Sequence, residues 1–172
     1  ELSACGHQAV TLLERAHLPR SCRHPLFFFL GYIAKAEGRV TEVDIRYAEA
    51  LIKALKLSSR QRRRAIEWFQ QGKSAESIPT MRGLSRRLSQ WLRPAPALRL
   101  AACLCHAAQL NGRPAKQRRY RCEDAIAQMG LPISISDDIF ESYACKVWAP
   151  QAEQFARPES YEQACALLGV TR

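Results

Sequence analysis

The stretch that decides the fold is residues 33–45, which read IAKAEGRVTEVDI. It begins as the end of an apolar segment, breaks at Gly38 and restarts at Thr41. A glycine in this place suits the left-handed backbone that often follows the end of a helix. Thr41 and Asp44 have the spacing of a capping box, in which each side chain binds the backbone of the other residue. The stretch therefore predicts a helix, a tight turn and a second helix.

The same helical signal extends over the rest of the chain. Residues 26–36 are apolar on all sides, which is typical of a helix in the centre of a core. Proline and glycine separate the periodic segments, and patterns of period two are absent from the sequence. Three more capping boxes are predicted, at Ser58 with Gln61, Ser134 with Asp137, and Ser160 with Gln163. We expect an all-α domain with helices near 4–16, 26–37, 42–56, 59–71, 80–92, 97–110, 115–129, 135–147 and 160–168.

An internal repeat relates two parts of the chain at an offset of 74 residues. Over positions 27–69 it gives eight identical pairs, where average residue frequencies would give roughly three by chance. The pairs fall inside predicted helices or on the glycine between them. They are Leu30 and Leu104, Ala34 and Ala108, Gly38 and Gly112, Arg39 and Arg113, Glu49 and Glu123, Ile52 and Ile126, Leu57 and Leu131, and Glu67 and Glu141. We therefore expect two similar helical halves that pack on each other as one compact domain.

Composition narrows the class of protein. The chain has 172 residues, of which 47% are apolar and 24% charged, as in soluble globular domains, so disorder is excluded. Its longest dense apolar run, residues 26–30, is too short to span a bilayer. The seven cysteines are odd in number and mostly lie in apolar surroundings, which favours a reduced, cytosolic protein. Because the chain opens at Glu1, we expect it to be a piece of a longer protein.

The net charge of +10 is concentrated in the middle of the chain. Residues 60–121 hold 15 basic and 2 acidic residues. We expect a basic face formed by Arg60, Arg62, Arg63, Arg64, Arg82, Arg86, Arg87, Arg118, Arg119 and Arg121. Such a face can bind an acidic protein partner, an anionic membrane surface or nucleic acid, or it can be solvated without a specific partner. Nucleic acid is the less favoured partner because aromatic residues for base stacking are not interleaved with the arginines.

Three carboxylates near the first turn form a candidate metal site. Glu37, Glu42 and Asp44 fall within eight residues, and calcium or magnesium prefers several oxygen ligands at such a turn. The alternative is purely helical: Asp44 closes the capping box, and Glu42 favours the positive N-terminus of the next helix.

Cysteine and histidine pairs near the N-terminus are a second metal candidate. Cys5 with His7 and Cys22 with His24 could supply four ligands to zinc, although an amphipathic helix between them explains the segment without metal. Known catalytic motifs such as a P-loop or His-Glu-x-x-His are absent from the sequence. We expect a domain that is not an enzyme and holds no cofactor, unless a divalent cation binds.

Residues 33–45 and the helix that follows them resemble the TerB-like domain of tellurite-resistance proteins. That family has an acidic residue before a turn glycine and another six positions after it, which Glu37, Gly38 and Asp44 match. The second half departs from this pattern, with Asn111 in place of the first acid and Arg118 where Asp44 aligns. The resemblance implies a TerB-like fold and, as an alternative function, metal binding in a stress response.

Residues 158–170, PESYEQACALLGV, resemble the opening of a DnaJ-type J domain. Together with the TerB-like part and residues 69–73, FQQGK, this order resembles the DjlA-type membrane-anchored DnaJ-like co-chaperones. The resemblance, which covers about residues 26–170, implies a TerB-like domain at 25–150 and a linker with the start of a truncated J domain at 151–172. Before them we expect an N-terminal helical segment at 1–24. A transmembrane helix would precede them, and the His-Pro-Asp signature would follow Arg172.

The same resemblance implies a function and partners. The chain would be a non-catalytic interaction or regulatory domain on the cytoplasmic side of the bacterial inner membrane. The J domain of the full protein would recruit cytoplasmic Hsp70 (DnaK) and stimulate its ATP hydrolysis. The family is also tied to envelope stress signalling and capsule synthesis. The sequence does not identify the client, nor does it decide whether the chain forms a homodimer.

Overall fold

The computed structural model describes residues 9–15, 17–78 and 94–143. Within these ranges the chain forms seven α-helices and one 3₁₀ turn, with no strand, so the all-α prediction is confirmed. The predicted helices at 80–92 and 160–168 and the capping box at Ser160 lie outside these ranges. The elements are α1 (Ala9–Arg15), the 3₁₀ turn (Arg20–Cys22), α2 (Arg23–Ala34), α3 (Glu42–Ala54), α4 (Ser59–Ser74), α5 (Pro94–Ala108), α6 (Lys116–Gln128) and α7 (Ser134–Tyr143).

The centre of the core is α2, as the apolar run predicted. Every residue from Pro25 to Ala34 is buried, because the helix is enclosed by α4, α5 and α6 and has no side facing water. Its counterpart α5 is buried in the same way along residues 100–105. No helix in the described ranges is both long enough and apolar enough to cross a membrane.

The predicted repeat is visible in the backbone. Helices α2 and α5 end at Ala34 and Ala108, and α3 and α6 begin and end 74 residues apart. The turn glycines Gly38 and Gly112 have φ angles of 85° and 101°, the left-handed region that a side chain disfavours. The chain therefore contains two units of helix, left-handed turn and helix whose boundaries match at the offset of the repeat.

Helices α2 and α4 cross at a pair of glycines. A Cβ atom on Gly31 would lie 2.0 Å from the carbonyl oxygen of Phe69, and one on Gly72 would lie 1.9 Å from that of Phe28. Only a residue without a side chain fits at such a separation. The repeat places Cys105 at the position of Gly31, so the second half has a side chain where the first half has this glycine.

Two of the predicted capping boxes are confirmed. The Thr41 amide donates to Oδ2 of Asp44 at 2.9 Å, and the Ser58 amide donates to Oε1 of Gln61 at 3.1 Å. The third differs from the prediction, because α7 begins at Ser134 itself and this serine lies in the first turn instead of preceding it. Helix α6 begins after Ala115, which has no side chain to cap it.

The N-terminal segment shares the core of the larger domain. Helix α1 packs on α3 and α5, and its Ala9 and Leu13 join the same buried cluster as the following Leu18 and Cys22. The boundary predicted after residue 24 falls inside α2. The predicted segment 151–172 lies outside the described residues.

Candidate functional site

A buried ion pair joins the two halves at equivalent positions. Arg118 on α6 and Asp44 on α3 are 74 residues apart, the offset of the repeat. The Nη2 atom of Arg118 donates to both carboxylate oxygens of Asp44, at 2.8 and 2.7 Å. The side chains of Arg118 and Asp44 are only 2% and 4% exposed. Burying two charges is costly unless they are paired and hydrogen-bonded, as they are here.

Further contacts complete the surroundings of this pair. Arg118 also donates from Nη1 to the Ala107 carbonyl at 3.3 Å, and its Nε lies 3.1 Å from Oε2 of Glu37. Asp44 accepts from the Thr41 hydroxyl at 2.7 Å as well as from its amide. One arginine thereby connects α3, α5, α6 and the first turn.

The three carboxylates proposed as metal ligands are divided between two arginines. Glu37 and Asp44 face Arg118, whereas Glu42 pairs with Arg46 on the exposed side of α3. The guanidinium of Arg118 supplies positive charge at the place where a cation was expected. In the described part of the chain, no three His, Cys, Asp or Glu side chains are grouped so that they could hold a metal ion. Metal binding by Glu37, Glu42 and Asp44 stays a prediction.

The arginines predicted to form one basic face lie in different environments. Arg118 does not belong to it, because this side chain is buried against Asp44. Arg60, Arg63 and Arg64 are exposed on α4, and Arg62 lies 3.4 Å from Glu49 of α3. Arg82, Arg86 and Arg87 lie outside the described residues.

The remaining two arginines bind within the domain. Arg121 donates to the Tyr32 carbonyl at 2.6 Å, and its guanidinium lies 4.4 Å from the centre of the Tyr32 ring. Tyr32 in turn donates its hydroxyl to Asp124 at 3.3 Å. Arg121 therefore fastens α6 to α2, although it carries the same charge as the exposed arginines of α4.

Arg119 closes the space between α6 and α7. It donates from Nε to Glu123 at 2.8 Å, reaches Asp137 with Nη2, and lies 5.1 Å from the ring centre of Phe140. The hydrogen bond to Glu123 raises the pKa of Arg119, so its charge is retained. With the arginine above it, Phe140 is only 4% exposed.

The equivalent space between α3 and α4 is open. We call it the α3–α4 groove: Phe27, Ala48, Ile52 and Phe69 line its floor, and Ile45 and Ile66 form its rim. It is an open cleft of about 190 Å³. The rim isoleucines are 48% and 44% exposed, and the Arg62–Glu49 pair lies beside them. Local sequence patterns do not predict this groove, but the repeat indicates it, since Ile45 and Ile66 align with Arg119 and Phe140.

Two of the four proposed zinc ligands, Cys22 and His24, lie in the described part of the chain. Cys22 is buried, and the His24 ring meets Trp68 edge to face with centroids 5.2 Å apart. Partial burial lowers the pKa of His24 and raises that of the Cys22 thiol. Cys5 and His7 lie outside the described residues, so zinc binding stays a prediction.

The cysteines of α5 and α6 form a thiol cluster in the core. The sulfur atoms of Cys105 and Cys122 are 3.8 Å apart, and both residues are fully buried and not disulfide-bonded. Burial raises the pKa of Cys103 to about 12, which keeps its thiol protonated and unreactive near neutral pH.

Comparison with known proteins found one group of relatives. A region of 50 residues is 46% identical to the co-chaperone protein DjlA of Pasteurella multocida, and a region of the same length is 42% identical to DjlA of Shewanella oneidensis. DjlA of Aliivibrio fischeri is 36% identical over 53 residues. These regions are 29–31% of this chain and 17–19% of the relatives, so the match spans under a fifth of their length.

No family model and no solved structure matches the chain. The assignment therefore depends on the four DjlA proteins, which come from four bacteria and agree with one another. The chain contains a region related to the DjlA co-chaperones.

Proposed function

We propose that this chain is the non-catalytic interaction domain of a membrane-anchored, DnaJ-like co-chaperone. The observation that carries the proposal is the similarity to DjlA, at 36–46% identity in four bacteria. In the full protein, a J domain following this chain recruits Hsp70 (DnaK) and stimulates its ATP hydrolysis. The domain described here binds a client or signalling partner and holds it near that J domain.

The surface of the domain supports a binding role. Helix α4 presents Arg60, Arg63 and Arg64 to solvent next to the open, apolar α3–α4 groove. Apolar surface beside concentrated charge is a common composition for a protein interaction site. The TerB-like and J-domain resemblances of the sequence agree with this proposal, as does the order in which they occur.

The co-chaperone part of the proposal is tested with the full-length protein and purified DnaK. Single-turnover ATP hydrolysis by DnaK should accelerate in the presence of the full-length protein, because its J domain would carry the His-Pro-Asp signature. The 172-residue chain alone, which contains no His-Pro-Asp sequence, should leave the rate unchanged and serves as the control. A full-length protein without acceleration, or without His-Pro-Asp after Arg172, would overturn the proposal.

Localisation follows from the same proposal and has its own test. We propose that an apolar helix precedes Glu1 and holds the domain on the cytoplasmic face of the bacterial inner membrane. The full-length protein should sediment with inner membranes and resist extraction by high salt, and a protease added to intact spheroplasts should not reach the domain. Release by salt alone, or cleavage in intact spheroplasts, would contradict this placement.

A further inference from the structure

We propose that the α3–α4 groove is the docking site for an acidic, amphipathic helix of a partner protein. The inference rests on the proposed interaction function and specifies both the surface and the chemistry of what binds there. Apolar residues of the partner helix occupy the groove, and its carboxylates face the arginines of α4.

The rim of the groove leaves apolar side chains exposed to solvent. Ile45 and Ile66 keep 48% and 44% of their surface in water, above a floor that includes Phe27 and Phe69. Covering them would remove apolar surface from water, which is favourable at about 25 cal/mol per Å². A cleft between two helices accepts the apolar face of a third, whose anchors recur at i, i+3 or i+4, and i+7.

The second half shows how this fold closes the same space when nothing docks there. The positions of Ile45, Arg63 and Ile66 correspond to Arg119, Asp137 and Phe140. In the second half Arg119 contacts both Asp137 and Phe140, and Phe140 is only 4% exposed. In the first half, two are replaced by exposed isoleucines and the third by an arginine of the opposite charge to Asp137. Within the described ranges, the first half therefore lacks an equivalent closure and has an apolar surface available to a partner.

Charge identifies the partner as acidic. Within α4, Arg60, Arg62, Arg63, Arg64 and Lys73 are opposed by Glu67 alone, and the first four precede the rim residue Ile66 directly. Arg62 pairs with Glu49 at 3.4 Å while more than half of each side chain is exposed, so that contact is weak and can be exchanged for a partner carboxylate. A protein helix fits better than a bilayer, because a flat membrane surface cannot reach the floor of a cleft.

The test is a selection on the intact 172-residue chain. The probe is a phage-displayed library of amphipathic helical peptides of about four turns. Its apolar positions follow the i, i+3 or i+4, i+7 pattern, and its polar positions are drawn equally from Glu and Lys. We expect the enriched peptides to contain an excess of Glu, and their affinity to fall as salt is raised.

The decisive variant transfers the closure of the second half to the first. Ile45→Arg, Arg63→Asp and Ile66→Phe together reproduce the arrangement of Arg119, Asp137 and Phe140 at positions where the fold already accepts it. The variant should remain folded by circular dichroism and bind the selected peptides at least about tenfold more weakly, as expected when central anchors are lost. The matched control is Ile133→Arg, which places the same new charge on an isoleucine that is 52% exposed outside the groove and should leave affinity unchanged.

Four outcomes would overturn the groove proposal: no enrichment over the triple variant, enrichment of Lys-rich peptides, equal affinity for the triple variant and the parent chain, or displacement of the peptides by anionic phosphatidylglycerol vesicles. Failure of the co-chaperone proposal would look different. The triple variant in the full-length protein should still accelerate DnaK, so a full-length protein without acceleration would contradict the co-chaperone assignment alone.

Discussion

The α3–α4 and α6–α7 helix pairs occupy equivalent places in the repeat. They differ in whether side chains cover the apolar residues between the two helices. Between α6 and α7, Arg119 lies over Phe140 and pairs with two carboxylates, so Phe140 is 4% exposed. Between α3 and α4, Ile66 stands at the position of Phe140 and is 44% exposed. The two halves share core positions and turn glycines, whereas equivalent surface positions hold different residues and differ in exposure.

At the centre of the molecule, the two halves depend on each other through one pair of equivalent residues. Asp44 and Arg118 occupy one position of the repeat, and each is buried only because the other neutralises it. The two halves are therefore not interchangeable copies: at the centre they depend on each other, and at the surface they diverge. Four sets of variants test this comparison.

The largest effect is expected at the shared centre. Arg118→Ala leaves the Asp44 carboxylate buried without its partner and should cost about 3–5 kcal/mol in the free energy of unfolding, measured by urea denaturation. The double variant Asp44→Leu/Arg118→Met removes both charges and should recover most of that loss. It would still lack the half of the α3 capping box that the Asp44 side chain supplies, worth about 1 kcal/mol as a hydrogen bond. If the single variant lost less than the double variant, the dependence between the halves would be disproved.

Next in size is the glycine crossing of α2 and α4, where the second half has Cys105 in place of Gly31. Gly31→Ala places a methyl group about 2 Å from the Phe69 carbonyl, so α2 and α4 must separate. We expect a loss of at least about 1–3 kcal/mol, read from the thermal or urea unfolding midpoint. Cys105→Ala at the equivalent position of α5 removes one sulfur atom and should cost about 1 kcal/mol. Equal costs at the two positions would mean that the halves pack alike here.

A third difference between the halves is a buried histidine. His106 stands where the first half has Tyr32, its ring contacts Tyr47 at 5.0 Å, and burial lowers its pKa to about 4. Between that value and the ordinary 6.5, the unfolded chain binds the proton more readily than the folded chain does. The folded state should therefore lose stability as the pH falls from about 6.5 to about 4, by at most about 3 kcal/mol.

The matched measurement is the same pH series on His106→Gln, which has no group that titrates in this range. Carboxylates affect both proteins, so the difference between the two curves isolates the histidine. A difference that does not change between pH 7 and 4 would show that His106 is protonated as readily in the folded chain as in the unfolded one.

The smallest effect is expected at Arg119. Arg119→Ile gives the second half the residue that the first half has at the equivalent position, Ile45. The change should expose Phe140. Its ion pairs are partly in water, so the loss should be below about 1 kcal/mol. An apolar-surface dye such as ANS should bind the variant more strongly than the parent chain. A loss of several kcal/mol would mean that Arg119 supports the packing of α7, and that its role is more than closure of the surface.

Much of the fold could be predicted from local signals. The spacing of Thr41 and Asp44 marks the start of α3 because capping involves residues within one turn. The apolar run of residues 26–36 predicts a central helix because no side of it could face water. The helix boundaries differ from the predictions by a few residues, since the last turn of a helix depends on what packs beside it.

The candidate site was predicted only in part. The sequence placed Arg118 with the exposed arginines because its neighbours in the chain are basic. The alignment of Arg118 with Asp44 held a further indication, since opposite charges at one repeat position can meet where the two halves join. The groove was missed for a related reason: Ile45 and Ile66 read as ordinary helix residues until their exposure is known.

The sequence by itself determined the helices, the left-handed turn glycines and the number of halves, because propensity, capping and periodicity act between residues a few positions apart. Tertiary structure decided which of these residues are solvent-exposed. It buried Arg118 against a carboxylate 74 residues away, placed Arg119 over an aromatic ring and left Ile45 and Ile66 in an open groove. Burial and pairing depend on which helices pack together, and that packing depends on residues far apart in the sequence.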